Sequence, residues 1–151
     1  MQFTLDRLSA RIGELRRLLT PSVQKQLLTE FRLWSKNVGS PLTASKAVFL
    51  DRDGVLTRER SDYVKNPDEL ELLPGIAEPL REIQKLGFKI VVVTNQSVIG
   101  RGLATNEMMS KIHEKLRTEL EDMGCKIDAI YYCPHRPDEG CTCRKPEPGL
   151  T

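Results

Sequence analysis

The 151 residues suffice for one domain of ordinary size, or for a compact domain with a helical appendage. Hydrophobic side chains make up 39% of the chain and charged side chains 29%, which is close to the average of soluble globular proteins. The 23 basic side chains almost balance the 21 acidic ones, so no strong charge favours nucleic acid or an anionic membrane as a partner.

The chain begins with charged residues interspersed with Leu, and its longest apolar run is only a handful of residues. A signal peptide contains a continuous apolar stretch, and a membrane-spanning helix needs about 20 apolar residues. We therefore predict an intracellular, cytoplasmic protein that binds neither membranes nor nucleic acid.

Helical periodicity dominates the N-terminal part of the chain. Apolar residues recur at steps of three and four over residues 3–19 and again over residues 23–38, with Pro21 between the two stretches. Gly39 is a typical helix C-terminal cap, and a linker-like composition follows as far as Ser45. We predict a helical hairpin that packs on the following domain or on a second copy of the chain; binding to a lipid surface or a specific partner is the alternative. The apolar stripes are Leu5, Leu8, Ile12, Leu15 and Leu19 in the first helix, and Val23, Leu27, Phe31, Trp34 and Val38 in the second.

From Lys46 onward, short apolar runs alternate with helical periodicity. Three runs predict strands, because they are short and rich in β-branched or aromatic residues. They are KAVFL at residues 46–50, FKIVVV at residues 88–93 and IDAIYY at residues 127–132.

Two helices are predicted between these strands. The first covers residues 76–86 and is closed by Gly87; Thr105 caps the second, and Gly124 follows its end. His113, on the second helix, is predicted to be a surface side chain. The alternation of strands and helices predicts an α/β fold with a parallel, doubly wound, Rossmann-like sheet. The predicted inward-facing residues are Ile76, Leu80, Ile83 and Leu86 in the first helix, and Met109, Ile112, Leu116, Leu120 and Met123 in the second.

Polar residues follow each predicted strand. Asp51 and Asp53 follow the first strand, TNQS at residues 94–97 the second, and CPH at residues 133–135 the third. Because sites in parallel sheets lie beyond the carboxyl ends of the strands, these clusters are expected to meet. Two neighbouring carboxylates repel each other, which favours a hard cation such as Mg²⁺; the alternative is that they cap a turn made by Gly54.

A second cluster has the spacing of a metal site. Cys133, His135, Cys141 and Cys143 supply three thiolates and an imidazole, which suits a closed, tetrahedral, structural zinc site. The alternative is an incidental cluster, or a labile disulfide between Cys141 and another cysteine. Cys125 lies outside this pattern and is predicted to be a small core residue.

Several motifs together resemble those of the haloacid-dehalogenase-like phosphatases. FLDRDGVL resembles the first motif of that family, VVVTN the second, and CRKP the segment with the third-motif lysine. TNQSVIGRG and YYCPHRPDEGCTCRKPEPG resemble the branch with the zinc-containing heptose bisphosphate phosphatases and the histidinol-phosphate phosphatases. The resemblance covers residues 46–151 and implies a phosphatase domain of this type there, preceded by the hairpin and linker of residues 1–45.

The resemblance implies a role for four residues of a phosphoric monoester hydrolase. Asp51 is the nucleophile that forms an aspartyl-phosphate, and Asp53 is the general acid and base. Mg²⁺ is held by the Asp51 carboxylate and the Asp53 backbone carbonyl. Thr94 and Lys145 hold the phosphoryl oxygens.

The resemblance also implies a small phosphorylated metabolite as the substrate, with residues 59–64 at the entrance to the site. The ending of CRKPEPGL is more typical of the heptose bisphosphate group, whereas the short zinc loop is closer to the histidinol-phosphate group. We predict a heptose 1,7-bisphosphate phosphatase, with histidinol phosphate as the alternative substrate. The predicted substrate contacts are Arg52, Tyr63, Asn95, Gln96, Ser97 and Arg144.

The family pattern continues after the third-motif lysine with a helix and a strand that ends in an acidic motif, whose Asp completes the Mg²⁺ site. The sequence ends at Thr151, six residues after Lys145, so the predicted sheet is incomplete at its C-terminal end. Two hypotheses follow. The chain is a phosphatase, read as part of a longer enzyme or completed by another chain. Alternatively, it is a catalytically incomplete, zinc-stabilised module whose helical hairpin mediates self-association or partner binding.

Overall fold

The structure of the protein is a computed structural model that describes residues 46–150. The predicted helical hairpin and linker over residues 1–45, together with Thr151, lie outside the described residues. Within the described part of the chain, no helix is long and apolar enough to cross a membrane.

The described residues form an open parallel sheet with helices between its strands. The strands are β1 (Ala47–Leu50), β2 (Lys89–Asn95) and β3 (Ala129–Cys133), the α-helices are α1 (Ala77–Lys85) and α2 (Asn106–Asp122), and short 3-10 helices lie at Pro67–Glu69 and Pro137–Glu139. The strand order is β1-β2-β3, so each pair of neighbours is joined through one α-helix. Parallel neighbours need such crossover connections, and the arrangement confirms the predicted α/β fold.

One face of the sheet carries the hydrophobic core. Ile90 and Val92 of β2 are both completely buried and belong to one apolar cluster with the two helices. Because side chains alternate along a strand, Val91 and Val93 lie on the opposite face, outside that cluster. Both helices therefore pack over the same face of the sheet as Ile90 and Val92. Their contributions include Leu80 and Ile83 from α1 and Met109, Ile112, Leu116 and Leu120 from α2.

The predicted caps of α2 are present. The Oγ1 atom of Thr105 accepts a hydrogen bond from the backbone N–H of Met108 at 3.1 Å, as an N-cap side chain does. Gly124 follows the helix with a φ of +75°, the left-handed conformation that glycine adopts without steric cost. These local signals set the ends of α2 almost at the predicted positions.

Two residues predicted to face inward lie instead at the ends of the helices. Leu86 follows the last residue of α1 and is 36% exposed, and Met123 follows the last residue of α2 and is 46% exposed. The predictions for these two residues are wrong. The helical period places a side chain on the buried face only while the backbone remains helical, and both residues lie one position past that point.

Candidate active site and metal centre

The polar residues predicted at the strand ends do meet at one edge of the sheet. Asp51 directly follows β1, Thr94 and Asn95 are the last two residues of β2, and Cys133 is the last residue of β3. Asn95 and Cys133 are paired in the parallel register. The carboxyl edge of the sheet therefore brings the carboxylates close to the amide side chains and to the cysteine cluster.

Asp51 is held by a lysine from the far end of the described chain. The Nζ atom of Lys145 lies 2.6 Å from Oδ2 of Asp51, and it also donates to the carbonyl oxygen of Val93 at 2.7 Å. The backbone N–H of Arg52 donates to the other oxygen, Oδ1, at 2.8 Å. The side chains of Asp51 and Lys145 are 31% and 30% exposed, so a ligand from solvent can reach both.

Asn95 positions the backbone of Lys145. Its Oδ1 atom accepts from the Lys145 N–H at 3.0 Å, and its Nδ2 atom donates to the Lys145 carbonyl oxygen at 3.3 Å. Both ends of the amide are thus used by one residue. In this structure Asn95 anchors the lysine, and a direct substrate contact by Asn95 stays a prediction.

Asp53 has its own buried cation. Arg52 donates from Nε to Oδ1 of Asp53 at 3.1 Å and from Nη2 to Oδ2 at 3.0 Å. Gln96 donates to Oδ2 at 2.7 Å, and Thr57 donates to Oδ1 at 3.3 Å. The repulsion expected between the two carboxylates is therefore offset within the chain, because Asp51 faces Lys145 and Asp53 faces Arg52.

The Arg52 side chain does not line the open site, and a direct substrate contact by Arg52 stays a prediction. The residue is 0% exposed, and its Nη2 atom also donates to Oε1 of Gln96 at 2.7 Å. Nη1 points into the core, 3.3 Å from the sulfur of Met109 and 3.5 Å from Nε2 of His113. A buried guanidinium needs a compensating charge and acceptors for its N–H groups. The Asp53 carboxylate supplies the charge, and Asp53 and Gln96 supply the acceptors.

Gln96 connects this network to the threonine at the end of β2. Its Nε2 atom donates to Oγ1 of Thr94 at 2.8 Å as well as to Asp53, and both Gln96 and Thr94 are buried. Since the Thr94 oxygen accepts from the amide, its own hydrogen is available for another acceptor. Gln96 therefore orients Asp53 and Thr94 together.

His113 is buried, and the prediction that it is a surface side chain is wrong. It is 8% exposed and makes an edge-on contact with the Tyr132 ring, with the ring centroids 5.3 Å apart. Burial, with a smaller effect of the Arg52 charge, lowers the pKa of His113 to about 4, so the ring is neutral at pH 7. A sequence signal existed, because His113 follows Met109 by four residues and shares its helix face.

Thr57 is the other residue of the network that the sequence analysis missed. It is completely buried, and its hydroxyl lies within hydrogen-bond distance of the Arg52 carbonyl oxygen, at 3.2 Å, and of Asp53. Gly54, with a φ of +74°, donates from its N–H to the Thr57 carbonyl oxygen at 2.8 Å. The tight turn after Asp53 thus places the Thr57 hydroxyl beside the Asp53 carboxylate.

Tyr63 and Ser97 lie beside a basic residue that the sequence analysis did not select. The guanidinium of Arg101 lies 5.6 Å from the centroid of the Tyr63 ring, within the range of a cation–π contact. The N–H of Arg101 donates to the carbonyl oxygen of Ser97 at 3.0 Å. Direct substrate contacts of Tyr63 and Ser97 stay predictions.

The four predicted zinc ligands form one cluster. The Sγ atom of Cys133 lies 3.5 Å from that of Cys141 and 3.3 Å from that of Cys143. The Nδ1 atom of His135 lies 3.2 Å from Sγ of Cys143, and all four ligand atoms lie within 4.8 Å of one another. Ligands placed tetrahedrally at 2.0 to 2.3 Å from a zinc ion are roughly 3.5 Å apart, so the cluster fits that ion.

The cluster contains thiols that are not joined as disulfides. All four cysteines of the described chain are free, and the sulfur separations far exceed the roughly 2.05 Å of an S–S bond. Burial raises the pKa of the Cys133 thiol to about 12, so a thiolate at this position requires a compensating cation. Cys125 is 1% exposed within the core, as predicted.

The cysteine cluster and the carboxylate site are parts of one structure. Lys145 follows the last ligand, Cys143, by only two residues. Between them, Arg144 donates from Nη1 to the His135 carbonyl oxygen at 3.1 Å. This predicted substrate contact is therefore held by residues 133–143, which carry the candidate zinc ligands and which we call the metal loop. The loop formed around the ligands therefore determines where Lys145 enters the site.

A family model described as polynucleotide kinase 3 phosphatase matches residues 46–151. The chain belongs to this family. The match begins where the sequence analysis placed the start of the phosphatase domain, and the matched residues contain both the carboxylate site and the cysteine cluster.

Two curated relatives are similar to this chain over the same region. The D-glycero-beta-D-manno-heptose-1,7-bisphosphate 7-phosphatase of Bordetella bronchiseptica is 43% identical over 105 residues, which cover 70% of this chain and 59% of the relative. The enzyme of the same name from Helicobacter pylori is 42% identical over 110 residues, covering 72% and 63%. The chain thus spans about three fifths of the length of these relatives.

Solved structures agree with this assignment. The heptose 1,7-bisphosphate phosphatase of B. bronchiseptica, complexed with magnesium and phosphate, matches with a TM-score of 0.66 at 43% identity, covering 70% of this chain and 59% of that one. A Mesorhizobium loti protein described as a candidate HAD-like phosphatase matches with a TM-score of 0.63 at 27% identity, covering 75% and 58%. The resemblance to haloacid-dehalogenase-like phosphatases, made from sequence motifs, is confirmed.

Proposed function

We propose that the protein is a Mg²⁺-dependent phosphatase that removes the 7-phosphate of D-glycero-D-manno-heptose 1,7-bisphosphate. The observation that carries the proposal is the contact between Asp51 and Lys145, 2.6 Å apart and open to solvent at the end of β1. A carboxylate beside a cation is the pair needed to attack a phosphoryl group and to stabilise its oxygens. The similarity to two heptose bisphosphate phosphatases at 42% and 43% identity supports the choice of substrate.

In the first half of the reaction, a carboxylate oxygen of Asp51 attacks phosphorus while the bond from phosphorus to the sugar oxygen breaks. Asp53, carrying the proton that it took from water in the preceding turnover, gives that proton to the departing sugar oxygen. Lys145 and Thr94 hold the other phosphoryl oxygens, the first through its ammonium group and the second through the hydrogen that Gln96 leaves available. The products of this half are the free sugar hydroxyl and an aspartyl-phosphate.

In the second half, water attacks the phosphorus of the aspartyl-phosphate and the bond to Asp51 breaks, releasing inorganic phosphate. Asp53 takes a proton from the attacking water. The described conformation of Asp53 suits this step, because the carboxylate accepts hydrogen bonds from Arg52, Gln96 and Thr57 and is 28% exposed. Arg52 and Gln96 fix the direction in which this carboxylate faces.

The donor atoms present fit the two proposed metals. The Asp51 carboxylate and the Asp53 carbonyl are hard oxygen ligands for Mg²⁺, which keeps several waters and phosphate oxygens among its ligands. Bound there, Mg²⁺ would offset the negative charge shared by the nucleophile and the phosphate. Cys133, His135 and Cys143, with Cys141, would hold zinc with no open position, so that metal would be structural.

The test is Mg²⁺-dependent phosphate release by the 151-residue chain from three esters. The esters are heptose 1,7-bisphosphate, histidinol phosphate and a 3′-phosphorylated oligonucleotide, the last because of the family to which the chain belongs. We expect the heptose ester to be preferred and Asp51→Asn to abolish release while leaving the zinc content unchanged. Preference for histidinol phosphate or for the oligonucleotide would contradict the proposed substrate, and the preferred ester would take its place.

A folded, zinc-loaded chain that releases no phosphate from any of the three esters would overturn the proposal. The zinc-stabilised interaction module would then be the better description of the protein. We further propose a cytoplasmic location, which is supported by the free thiols of the described cysteines.

A further inference from the structure

One face of the sheet is apolar and partly exposed. We call this the outer sheet face; it is the side opposite the core. Its aromatic members Phe49 and Tyr131 are 36% and 47% exposed, whereas Val91 and Val93 between them are buried. Phe49 lies beside Val91 in the parallel register, and Val93 lies beside Tyr131. The face therefore runs without interruption across all three strands. Its residues are Ala47, Phe49, Val91, Val93, Ala129 and Tyr131.

The described helices do not cover this face. Leu50, Ile90 and Val92, on the other side of the sheet, share one apolar cluster with α1 and α2, whereas Val91 and Val93 are outside it. Parallel sheets are found almost only with both faces covered, because their strands are apolar on both sides. Among residues 46–150, the described elements therefore supply one of the two layers that such a sheet needs.

The segment that precedes β1 has the pattern required for the second layer. Residues 23–38 place five apolar side chains at steps of three and four, which makes one continuous stripe on a helix. A helix of that length is about 24 Å long, whereas three parallel strands span roughly 10 Å. The segment is therefore long enough to cross the outer sheet face.

Covalent attachment favours this segment over a second copy of the chain. Residues 39–45 join it to the residue before β1, and seven extended residues reach at most about 25 Å. Short connections of this kind are typical between a helix and the following strand that it covers. A tether this short also gives the segment an effective concentration in the millimolar range at the face.

We propose that residues 23–38 pack as a helix on the outer sheet face of the same chain, with their apolar stripe against Phe49 and Tyr131. The contact stabilises the phosphatase domain by burying an apolar surface on each side, and it does not depend on the reaction that the site catalyses. Trp34 lies in that stripe and is the sole Trp of the sequence, so its fluorescence reports the contact directly.

The experiment measures acrylamide quenching and the emission maximum of Trp34 in the full 151-residue chain. In the parent chain we expect a protected, blue-shifted Trp34. Tyr131→Lys, and separately Phe49→Lys, place a charge in the contact and are expected to red-shift the emission and increase quenching. Both sites are partly exposed, so the domain itself is expected to fold and to keep its zinc content.

The matched control is Leu103→Lys. Leu103 is also an apolar residue, 51% exposed, but it lies in the loop after β2 and outside the outer sheet face. This variant is expected to leave Trp34 unchanged. An equal change in Leu103→Lys, or no change in both face variants, would overturn the proposal.

Sedimentation over a range of protein concentrations identifies the chain that supplies the helix. Packing within one chain predicts that Trp34 protection is independent of dilution and that the protein and both face variants have the same mass. Protection that disappears on dilution, together with a dimer that the face variants dissociate, would assign the face to a second copy and overturn the proposal as stated.

Discussion

The cysteine cluster and the carboxylate site lie next to each other but are assembled over very different lengths of chain. Cys133 and Cys143 are ten positions apart, whereas the Asp51 and Lys145 side chains that meet at 2.6 Å are 94 positions apart. Ligands that are close in sequence need only a short loop to meet, but the carboxylate and the lysine meet because parallel strands end at one edge. The first region depends on local spacing, and the second depends on the fold.

The two regions are connected through the metal loop. Lys145 is delivered to Asp51 by the segment that leaves Cys143, and Asn95 holds the lysine backbone at the end of β2. Loss of the locally encoded region is therefore expected to disturb the long-range region, whereas small changes in the long-range region leave the metal cluster intact. The following predictions test this asymmetry.

The largest effect is expected from Cys143→Ser. Structural zinc sites have apparent binding free energies of about 10 kcal/mol or more, and removing one thiolate opens the site. We expect loss of bound zinc and of phosphate release, because Lys145 is no longer held against Asp51. Metal analysis and the phosphate assay measure both.

The control is Cys125→Ser, at a buried cysteine outside the cluster. It is expected to keep full zinc content. If Cys143→Ser also kept its zinc, the cysteine cluster would not be the structural zinc site, and the position of Lys145 would not depend on it.

Arg52→Met is expected to have the next largest effect. Removing one partner of a buried ion pair costs about 3 kcal/mol or more, because the remaining charge loses its compensation. Asp53 is partly exposed, so the lower end of that range applies. Urea unfolding measures the free energy, with the zinc content expected to stay unchanged.

Arg58→Met is the matched variant for that measurement. Arg58 pairs with Glu71 at 2.8 Å, but the two side chains are 54% and 65% exposed, and such pairs contribute less than about 1 kcal/mol. Equal losses of unfolding free energy in the two arginine variants would show that the buried Arg52–Asp53 pair contributes no more to stability than an exposed pair.

Acid titration tests the buried imidazole behind that site. The pKa of His113 falls from 6.5 to about 4 on folding, so the unfolded chain binds a proton between these values and the folded chain does not. Stability is therefore lost as pH falls from 6.5 toward 4, by roughly 2 to 3 kcal/mol, and this loss levels off below pH 4.

His113→Gln isolates that contribution. Acid effects on the metal cluster are common to the parent and the variant, so the difference between their unfolding free energies reports His113 alone. We expect the variant to lose less stability between pH 6.5 and 4. Parallel curves for the two proteins would contradict the assignment of a neutral, buried ring.

The smallest effect is expected from Thr57→Val. The variant keeps the shape of a buried side chain and removes a hydroxyl that lies 3.2 Å from the Arg52 carbonyl oxygen and 3.3 Å from Asp53. A neutral hydrogen bond contributes about 1 kcal/mol, and we expect a loss of that size in urea unfolding. Loss of zinc in this variant would show that the metal loop depends on the carboxylate site. We expect only the opposite dependence, of the carboxylate site on the metal loop.

Most of the described fold was predictable from local patterns. The three apolar runs form β1, β2 and β3. Thr105 marks the start of α2 through its side-chain hydrogen bond, and Gly124 marks the end through its left-handed backbone conformation. The errors lie where a pattern crosses an element boundary, as at Met123, whose helical spacing continues past the end of the helix.

The candidate site divides in the same way. The motifs correctly indicated that Asp51 and Lys145 meet and that the four candidate metal ligands form one cluster. The resemblance also implied a substrate contact for Arg52, but it gave no sign that the Arg52 side chain is completely buried. Its burial depends on the space beneath the turn, which is formed by Met109 and His113 from α2.

By itself, the sequence determined the strands, the edge at which their polar ends meet, and the candidate ligand set of Cys133, His135, Cys141 and Cys143, because each depends on residue type and short spacing. Only the tertiary structure decided that Asp53 pairs with a buried Arg52, that Asn95 anchors Lys145, and that α1 and α2 both pack on one face of the sheet. Each of these features depends on packing between separate elements, since α2 encloses the Arg52 side chain that pairs with Asp53. The energies that select them, burial of a charge and covering of an apolar face, exist only once the sheet and helices have packed.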